Sequence, residues 1–504
     1  MCEVELASAW FIRNDCTPVI RSDTSRQAGD TPRQACAGGP VVERLGVCNE
    51  ERVATRVATR VVIAHDWLCG LRGGELVLDA ICRAVAAEPS LMCGDADGLL
   101  GDGGSASVEF ERVKVVGVLA MFADGKPLTK AIDALPRVVS VVGKLPWAAR
   151  VRRWLLPIYP LAVWDLSRQL AKMHAREPID LVVTTSSCAI KALRAPKGVP
   201  HVCYVHAPAR YIWSRGGDYA RGGVLGRVRG VGLLIVRNWF KRWDFKTAQK
   251  NESYSHGPDV LLANSTHTQS QIRACWGREA QVLYPPVRTG RFVNVKQMAR
   301  ERYWLYVGAL EPYKRVDVAI VAAARAGVPL VIIGKGSQEA RLRALAKALH
   351  ASEEPVGGAD EERLASLVRF LGHISEENVV DAMCRARLLV FPQVEDFGIV
   401  AVEALACGTP VVARAMGGAM DIVREGVNGA VYCVPEDVSG DSLDIHAQSM
   451  MDAAARCPLP DDPCDSNELD LQPIRASAMR FGEAEFAREF VRVVKRVLEA
   501  RTAP

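Results

Sequence analysis

Two glutamates, Glu395 and Glu403, stand in the segment PQVEDFGIVAVEALACGTPVV, residues 392–412. The apolar run LLVFP before them reads as a buried strand, and the residues from Gly398 onward as a helix. Glu395 therefore falls at the carboxyl end of a strand, where open α/β sheets bind ligands. The helix start offers unpaired backbone N–H groups and partial positive charge, suited to a phosphate or to sugar hydroxyls. Gly398 lets a ligand approach the backbone, and Glu403, on the first turns, suits hydrogen bonds from a ribose diol. Spacing alone would favour an ordinary surface loop whose two acids stabilise a helix N-terminus. The flanking strand, the glycines and the Gly-Thr-Pro turn decide against that.

A second constellation, Glu311-Pro312-Tyr313-Lys314-Arg315, follows the strand-like YVGAL. A lone Lys-Arg pair is usually a solvated turn. Two cations at a strand's carboxyl end can instead neutralise a diphosphate, Lys as a point charge and Arg as a bidentate fork. Position favours Lys314 strongly and Arg315 less so. Near the start of the chain, Gly73 and Gly74 open a helix after a strand. The spacing is not that of a dinucleotide fingerprint, so the turn lines a cleft or is a plain tight turn. Asp66, in the same loop, is a candidate for touching a ligand hydroxyl. His206 ends the strand-like HVCYV and by itself reads as structural. Arg210, four residues on, reads equally as the ligand of an anion or as half of a structural ion pair.

Asp95-Ala96-Asp97 has the look of a metal-binding D-x-D, but it lies among glycines away from any strand end, so no metal site is assigned. Gly334-Lys335-Gly336 and Gly372-His373 follow strands and either frame a nucleotide base or are simple turns. Two basic, aromatic stretches, residues 143–164 and 221–243, mix Arg and Lys with Trp, Leu, Ile and Val. Each is an interfacial helix on a membrane or an ordinary helix with a solvated basic face.

The elements that must position these residues form two series. Strand-like runs VVIAH, IDLVVTTSS, HVCYVHAP, DVLLANS and AQVLYPP are separated by helical segments, the first of them GGELVLDAICRAVAAE. Tyr284-Pro285-Pro286-Val287 then interrupts the pattern as a linker. A second series runs through WLYVGAL, PLVIIGKGS, VRFLGHI, ARLLVFPQ and TPVVARA to a final helix, FGEAEFAREFVRVVKRVLEA. Polar inserts at 351–360 and 459–472 read as surface loops. The domain expectation is therefore an extension without periodicity over 1–56, a domain over 57–285, a second over 286–480, and a helix over 481–504 crossing back to the first domain.

With 504 residues, 49% hydrophobic and 24% charged, the chain is globular and large enough for two cores. A net charge of +5 gives no reason to expect nucleic acid. Fifteen cysteines without a C-x-x-C pair or zinc-finger spacing point to reduced thiols and a cytoplasmic setting. No signal peptide and no apolar run of spanning length are recognised, so any membrane contact is expected to be peripheral.

The segment from Glu395 to Glu403 resembles the E-x7-E motif of retaining glycosyltransferases of family 4. The resemblance extends over most of residues 61–499: HDWLCGLRGGELVL is similar to the family's glycine-rich loop, VCYVHAPARYIW to its histidine segment, and YVGALEPYKRVDVAI to its phosphate-binding loop. It implies an α/β fold of GT-B architecture, two Rossmann-like domains with a cleft between them. His206, Glu395 and Lys314 would then be catalytic. Arg315, Phe397, Gly398, Ile399 and Glu403 would bind the donor, and Asp66, Gly73, Gly74 and Arg210 would line the acceptor side or the cleft. Ala309 departs from relatives that carry Arg there, so one expected phosphate contact is missing or is supplied elsewhere. The wording EDFGIV and PYKRVD is similar to bacterial mannosyltransferases of surface polysaccharide synthesis. That implies a hexose, mannose from GDP-mannose, passed with retention to a lipid-linked saccharide at the inner face of the cytoplasmic membrane. The nucleotide sugar is a substrate, and no cofactor or metal is expected. The rival readings are a nucleotide-sugar epimerase of related fold and an inactive nucleotide-sugar-binding partner in polysaccharide assembly.

Overall fold

The computed structural model describes residues 59–86, 113–152, 155–213, 223–250, 256–292, 298–351, 367–434, 442–458 and 470–502. The expected extension over 1–56, Asp95-Ala96-Asp97 and most of the two polar inserts lie outside these residues. Arg56–Pro504 is one compact unit, and it holds two parallel sheets. The first contains β1 (Thr59–Leu68), β2 (Val113–Ala123), β3 (Arg137–Val139), β4 (Leu181–Ser186), β5 (His201–Val205), β6 (Val260–Ala263) and β7 (Gln281–Val282) in the order β3-β2-β1-β4-β5-β6-β7. The second contains β8 (Trp304–Val307), β9 (Leu330–Ile333), β10 (Val368–Gly372), β11 (Leu388–Phe391), β12 (Val411–Arg414) and β13 (Gly429–Tyr432) in the order β10-β9-β8-β11-β12-β13.

Both sheets start in the middle, build outward on one side, and then return to build the other. Each therefore has a topological switch point, β1/β4 in the first and β8/β11 in the second. There, successive crossovers leave in opposite directions and open a crevice at the strands' carboxyl ends. Every residue of β4 and of β11 is buried. Such near-continuous apolar runs are expected of strands covered on both faces.

Three strands are not marked in the sequence reading: β2, β3 and β13. β2 carries Lys114 and Gly117 within its apolar run, and its register against β1 slips between Val61 and Val62. Gly117 is needed there because a Cβ would stand 3.0 Å from the Pro136 carbonyl oxygen. β1 also continues past His65 to Leu68, so Asp66 is a strand residue rather than a loop residue.

Helix α1 (Gly73–Ala86) is buried on nearly all sides, Glu75 and Asp79 included. Its sheet side meets β1 and β2. The C-terminal helix, whose residues 483–502 are described, covers the same cluster with Phe486, Phe490, Val494 and Leu498. Arg83 ties the two helices by pairing with Asp79 and Glu483. The final helix thus packs on the first sheet. The chain crosses at Val287, whose N–H donates to Phe481 O at 2.8 Å.

Candidate functional site

At the β8/β11 switch point, two loops leave adjacent strand ends. The loop after β8 forms a 3-10 turn, Pro312–Lys314, and enters α2 (Val316–Arg325) through Arg315, whose φ is 50°. That left-handed residue is strained for a non-glycine side chain. The two cations pair with different acids. Lys314 Nζ forms an ion pair with Glu395 Oε1 at the end of β11. Arg315 Nε pairs instead with Asp317 Oδ1 at 3.3 Å, on the first turn of α2. In this structure Lys314 reaches the loop of Glu395, while Arg315 meets the first turn of α2.

Helix α3 (Ile399–Ala406) starts from Gly398, whose φ of 123° excludes other residues. A Cβ there would also stand 3.1 Å from Phe391 Cζ. Phe397 was expected to bind donor, but its ring is buried against Tyr284 and Phe481, at centroid distances of 6.0 and 5.4 Å. Aromatic packing claims the side chain, leaving only its backbone for the loop. Glu403, on the second turn, is half-buried, and burial pushes its carboxyl up to about 7, against the pull of Arg291 and Arg288. Gly417 and Gly418 back the Glu395 loop: Gly418 N donates to Glu395 O at 2.8 Å, and a Cβ on Gly418 would stand 2.3 Å from Phe397 Cα. The sequence reading passed over this pair, although a Gly-Gly after strand TPVVARA was the available signal. The Gly334-Lys335-Gly336 turn packs on the loop after β8, with a Cβ on Gly334 only 1.9 Å from Gly308 O. Gly334 N also donates to Gly372 O at 2.7 Å.

The first sheet brings its own residues to the same cleft. Gly73 faces α3 directly, since a Cβ on it would meet Ile399 Cδ1 at 3.3 Å. Gly74 lies over two imidazoles. Its Cβ would stand 3.3 Å from His65 Cε1 and 3.7 Å from His206 Nε2. Burial lowers His206 to about 3, with His65 and Arg210 adding repulsion, and lowers His65 to about 4. Both rings are therefore neutral at pH 7. His206 Nε2 is shielded and has no hydrogen-bond partner, while His65 Nδ1 is hydrogen-bonded to Thr185 Oγ1. His65 was not singled out from sequence, because a histidine inside an apolar strand carries no local signal.

Asp66 is the clearest correction. Both carboxylate oxygens are taken by backbone N–H groups: Oδ2 by Ser187 at 2.5 Å and Cys188 at 2.8 Å, Oδ1 by Ala189 at 2.9 Å and Ile190 at 2.8 Å. It is fully buried; burial raises its pKa, and the four donors oppose that rise. Asp66 thus fills an anion-binding nest at the β1/β4 switch point from within and does not reach an acceptor hydroxyl.

Arg210 spans the cleft. It starts the short helix Arg210–Trp213 and pairs with Asp396, the neighbour of Glu395. Ser265 Oγ donates to Asp396 O, and Thr266 donates to Asp421 through N (2.8 Å) and Oγ1 (2.7 Å). The two domains are thereby joined beside the site. Among the described residues, no group of three or more His, Cys, Asp or Glu side chains is placed to hold a metal ion. None of the described helices is long and apolar enough to cross a membrane.

Two family models match adjacent parts of the chain: "Glycosyltransferase Family 4" over residues 115–291 and "Glycosyl transferases group 1" over residues 292–440. A D-inositol 3-phosphate glycosyltransferase of Mycobacterium sp. (strain JLS) is 39% identical over 186 residues, 34% of this chain and 41% of the relative. The Mycolicibacterium vanbaalenii protein of the same name is 33% identical over 206 residues, 38% and 46% of the two chains. The chain thus matches less than half the length of these relatives. Among solved structures, Anabaena HepE in complex with UDP aligns with a TM-score of 0.52 at 16% identity, covering 87% of this chain and all of that one. A glycosyltransferase from Rickettsia africae aligns at 0.52 and 13% identity, covering 88% and 99%. These structures share the fold of two facing Rossmann-like domains.

Proposed function

From the premise that the chain belongs to glycosyltransferase family 4, with the GT-B fold, we propose that it transfers a sugar from a nucleotide-sugar donor held by the second domain to a hydroxyl acceptor held by the first. The observation that carries this is the meeting of Lys314 and Glu395 at the β8/β11 switch point, beside the start of α3. A diphosphate entering there would take Lys314 and the first N–H groups of α3. Glu395 would be released to a sugar hydroxyl, and Glu403 would accept from the ribose. Negative charge grows on the leaving diphosphate as the glycosidic bond breaks. A preorganised cation and helix terminus stabilise that charge more than the ground state. Neutral His206, with an unpartnered Nε2 under Gly74, suits a hydrogen bond to the transferred sugar. Transfer runs with retention and without a metal ion. Glu395 and Glu403 are not a hydrolase acid and nucleophile, because Glu403 is assigned to the ribose.

We further propose a hexose donor, GDP-mannose first, and a lipid-linked saccharide acceptor at a membrane surface. Leu145, Trp147, Leu161 and Trp164 are large apolar side chains about half exposed or more, at 50%, 65%, 48% and 48%, all within one of the two basic stretches. On the other stretch Trp239 is exposed near Arg242, and Phe245 and Lys246 are exposed just beyond its end. Such a mixture suits shallow insertion with electrostatic attraction to anionic headgroups. A second acceptor reading, a small phosphorylated polyol, rests on the names of the curated relatives. A panel of nucleotide sugars tested against lipid-diphosphate saccharides and against inositol phosphate decides both donor and acceptor. Donor turnover without transfer to any hydroxyl would favour the epimerase, and no turnover with any donor would favour the inactive partner. The vesicle test is separate: sedimentation with anionic vesicles at low salt, release at high salt, and weaker binding by Trp147→Ser are expected. Indifference to anionic vesicles would remove the membrane part of the reading.

A further inference from the structure

Arg210 reaches Asp396 from a helix of only four residues, so its aim depends on what holds that helix. Inside Arg210–Trp213, Ile212 N and Trp213 N both donate to Ala209 O, at 2.9 and 3.0 Å. Ile212 is buried in the core of the first domain, and a further, polar grip comes from α4, the long helix Gly223–Ala248. Arg237 Nε donates to Ile212 O at 2.8 Å. Lys241 Nζ lies over the Trp213 ring, 4.9 Å from its centroid. Asp244 Oδ2 accepts from Trp213 Nε1 at 2.8 Å. Residues 237, 241 and 244 recur at helical spacing, so a single stripe of α4 addresses one short segment.

The last of these contacts is anchored by an ion pair in the core. Asp244 and Lys191 are both fully buried, and their charged atoms lie 2.8 Å apart. Lys191 Nζ also donates to Asp244 O at 3.0 Å and lies 4.8 Å from the Trp276 ring centroid. Lys191 directly follows the Ser187–Ile190 segment that Asp66 gathers, so the network joins the β1/β4 switch point to the Arg210 helix. A buried pair is a weak source of net stability compared with apolar packing. Its geometric specificity is the more telling property here.

We infer that Trp213, held by the Arg237–Lys241–Asp244 stripe, is a positioning residue that sets Arg210 against the Glu395 loop for sugar transfer. The inference rests on the transferase reading above. The network contains its own control. Trp276 Nε1 donates to the same Asp244 oxygen, at 2.7 Å, from the separate helix Thr266–Trp276. Trp276 is more deeply buried than the half-buried Trp213. A purely structural role makes Trp276→Phe the more damaging change in every measurement. A positioning role separates activity from stability.

The experiment compares Trp213→Phe and Trp276→Phe in the full chain by thermal unfolding, by amide hydrogen exchange of residues 209–213, and by steady-state transfer kinetics. Trp213→Phe is expected to speed exchange of the Ile212 and Trp213 amides roughly fivefold, the scale of one lost hydrogen bond. It should lower kcat about 10²-fold, as a misplaced positioning group does, with the donor KM unchanged. Trp276→Phe is expected to lower the Tm further while leaving kcat close to that of the unaltered protein. Arg237→Gln removes the second tether without touching the core and should also lower kcat at unchanged donor KM. Losses of kcat that track losses of Tm across the variants, or full kcat in Trp213→Phe and Arg237→Gln, would overturn the positioning role while leaving the transferase reading intact. An unaltered protein that transfers no sugar would overturn both.

Discussion

Glu403 offers a quantitative test of where the nucleotide sits. Burial raises its carboxyl from 4.5 to about 7, while Arg291 and Arg288 only partly offset the shift. A ribose diol donates hydrogen bonds, so the ionised carboxylate is the form that can accept two. Donor affinity should therefore fall with the ionised fraction as pH drops through about 7. One unit below that value the fraction is about one-tenth, so Kd should rise about tenfold, or about 1.4 kcal/mol. Stability has the opposite sign. The folded pKa lies above the unfolded one, so this group's stabilising contribution is full below about 4.5 and is lost as pH rises through about 7. His65 and His206, lowered to about 4 and 3, are neutral throughout and do not confuse the window. Calorimetric titration with an intact nucleotide sugar between pH 6 and 8, in two buffers of different ionisation enthalpy, should show weakening toward pH 6 and proton release on binding. Glu403→Gln should bind more weakly at pH 8 and show no slope. A flat wild-type profile, or the same slope in Glu403→Gln, refutes the placement of the ribose at this carboxylate.

Lys314→Ala and Glu395→Ala should each lower kcat about 10²–10³-fold with little change in Tm, because both lie at strand ends in the cleft and not in a core; full activity in either would exclude the donor site proposed. Asp66→Ala leaves the buried N–H groups of Cys188, Ala189 and Ile190 without an acceptor, each costing about 1–3 kcal/mol, so a drop of at least about 3 kcal/mol in denaturant unfolding is expected. A stable Asp66→Ala protein defective only in acceptor KM would restore the acceptor role set aside above. Transfer should also survive EDTA, since Lys314 and the α3 terminus supply the charge neutralisation; loss on chelation with recovery on adding a divalent ion would reverse that assignment.

The residues legible in sequence were those whose neighbours along the chain define the site. Glu395, Gly398 and Glu403 follow one strand and occupy one helix start, and the structure holds them in that relation. Contacts made across the fold were not legible. Asp396, next to Glu395, has partners Arg210 and Ser265 that come from the other domain. Arg315 follows Lys314 directly, but the two pair with different acids, Asp317 and Glu395. Phe397 lies inside the motif and its ring belongs to an aromatic cluster with Tyr284 and Phe481. The missed strands have a physical reason too. β2 contains a bulge and a lysine, and β13 is a four-residue strand at the sheet edge.

The two sheets pose a sharper question, because they share one strand order and hence one kind of crevice, while the proposed donor site occupies only one of them. The difference lies in what the crevice already holds. At β1/β4 the backbone amides of Ser187–Ile190 converge as they would on a phosphate, but the chain supplies the anion itself, through Asp66. A nucleotide diphosphate there would meet a buried carboxylate, and like charges at close range disfavour each other strongly in a poorly solvated site. At β8/β11 the corresponding loops present a lysine, whose current partner Glu395 is itself proposed to bind sugar. Replacement of that internal pair by donor diphosphate and sugar hydroxyl leaves neither charge bare. One carboxylate placed a residue beyond His65 thus closes the first switch point to anions. The first domain is left to present Gly73, Gly74 and His206 to whatever the second domain delivers, while Arg210 pairs with Asp396 of the second domain.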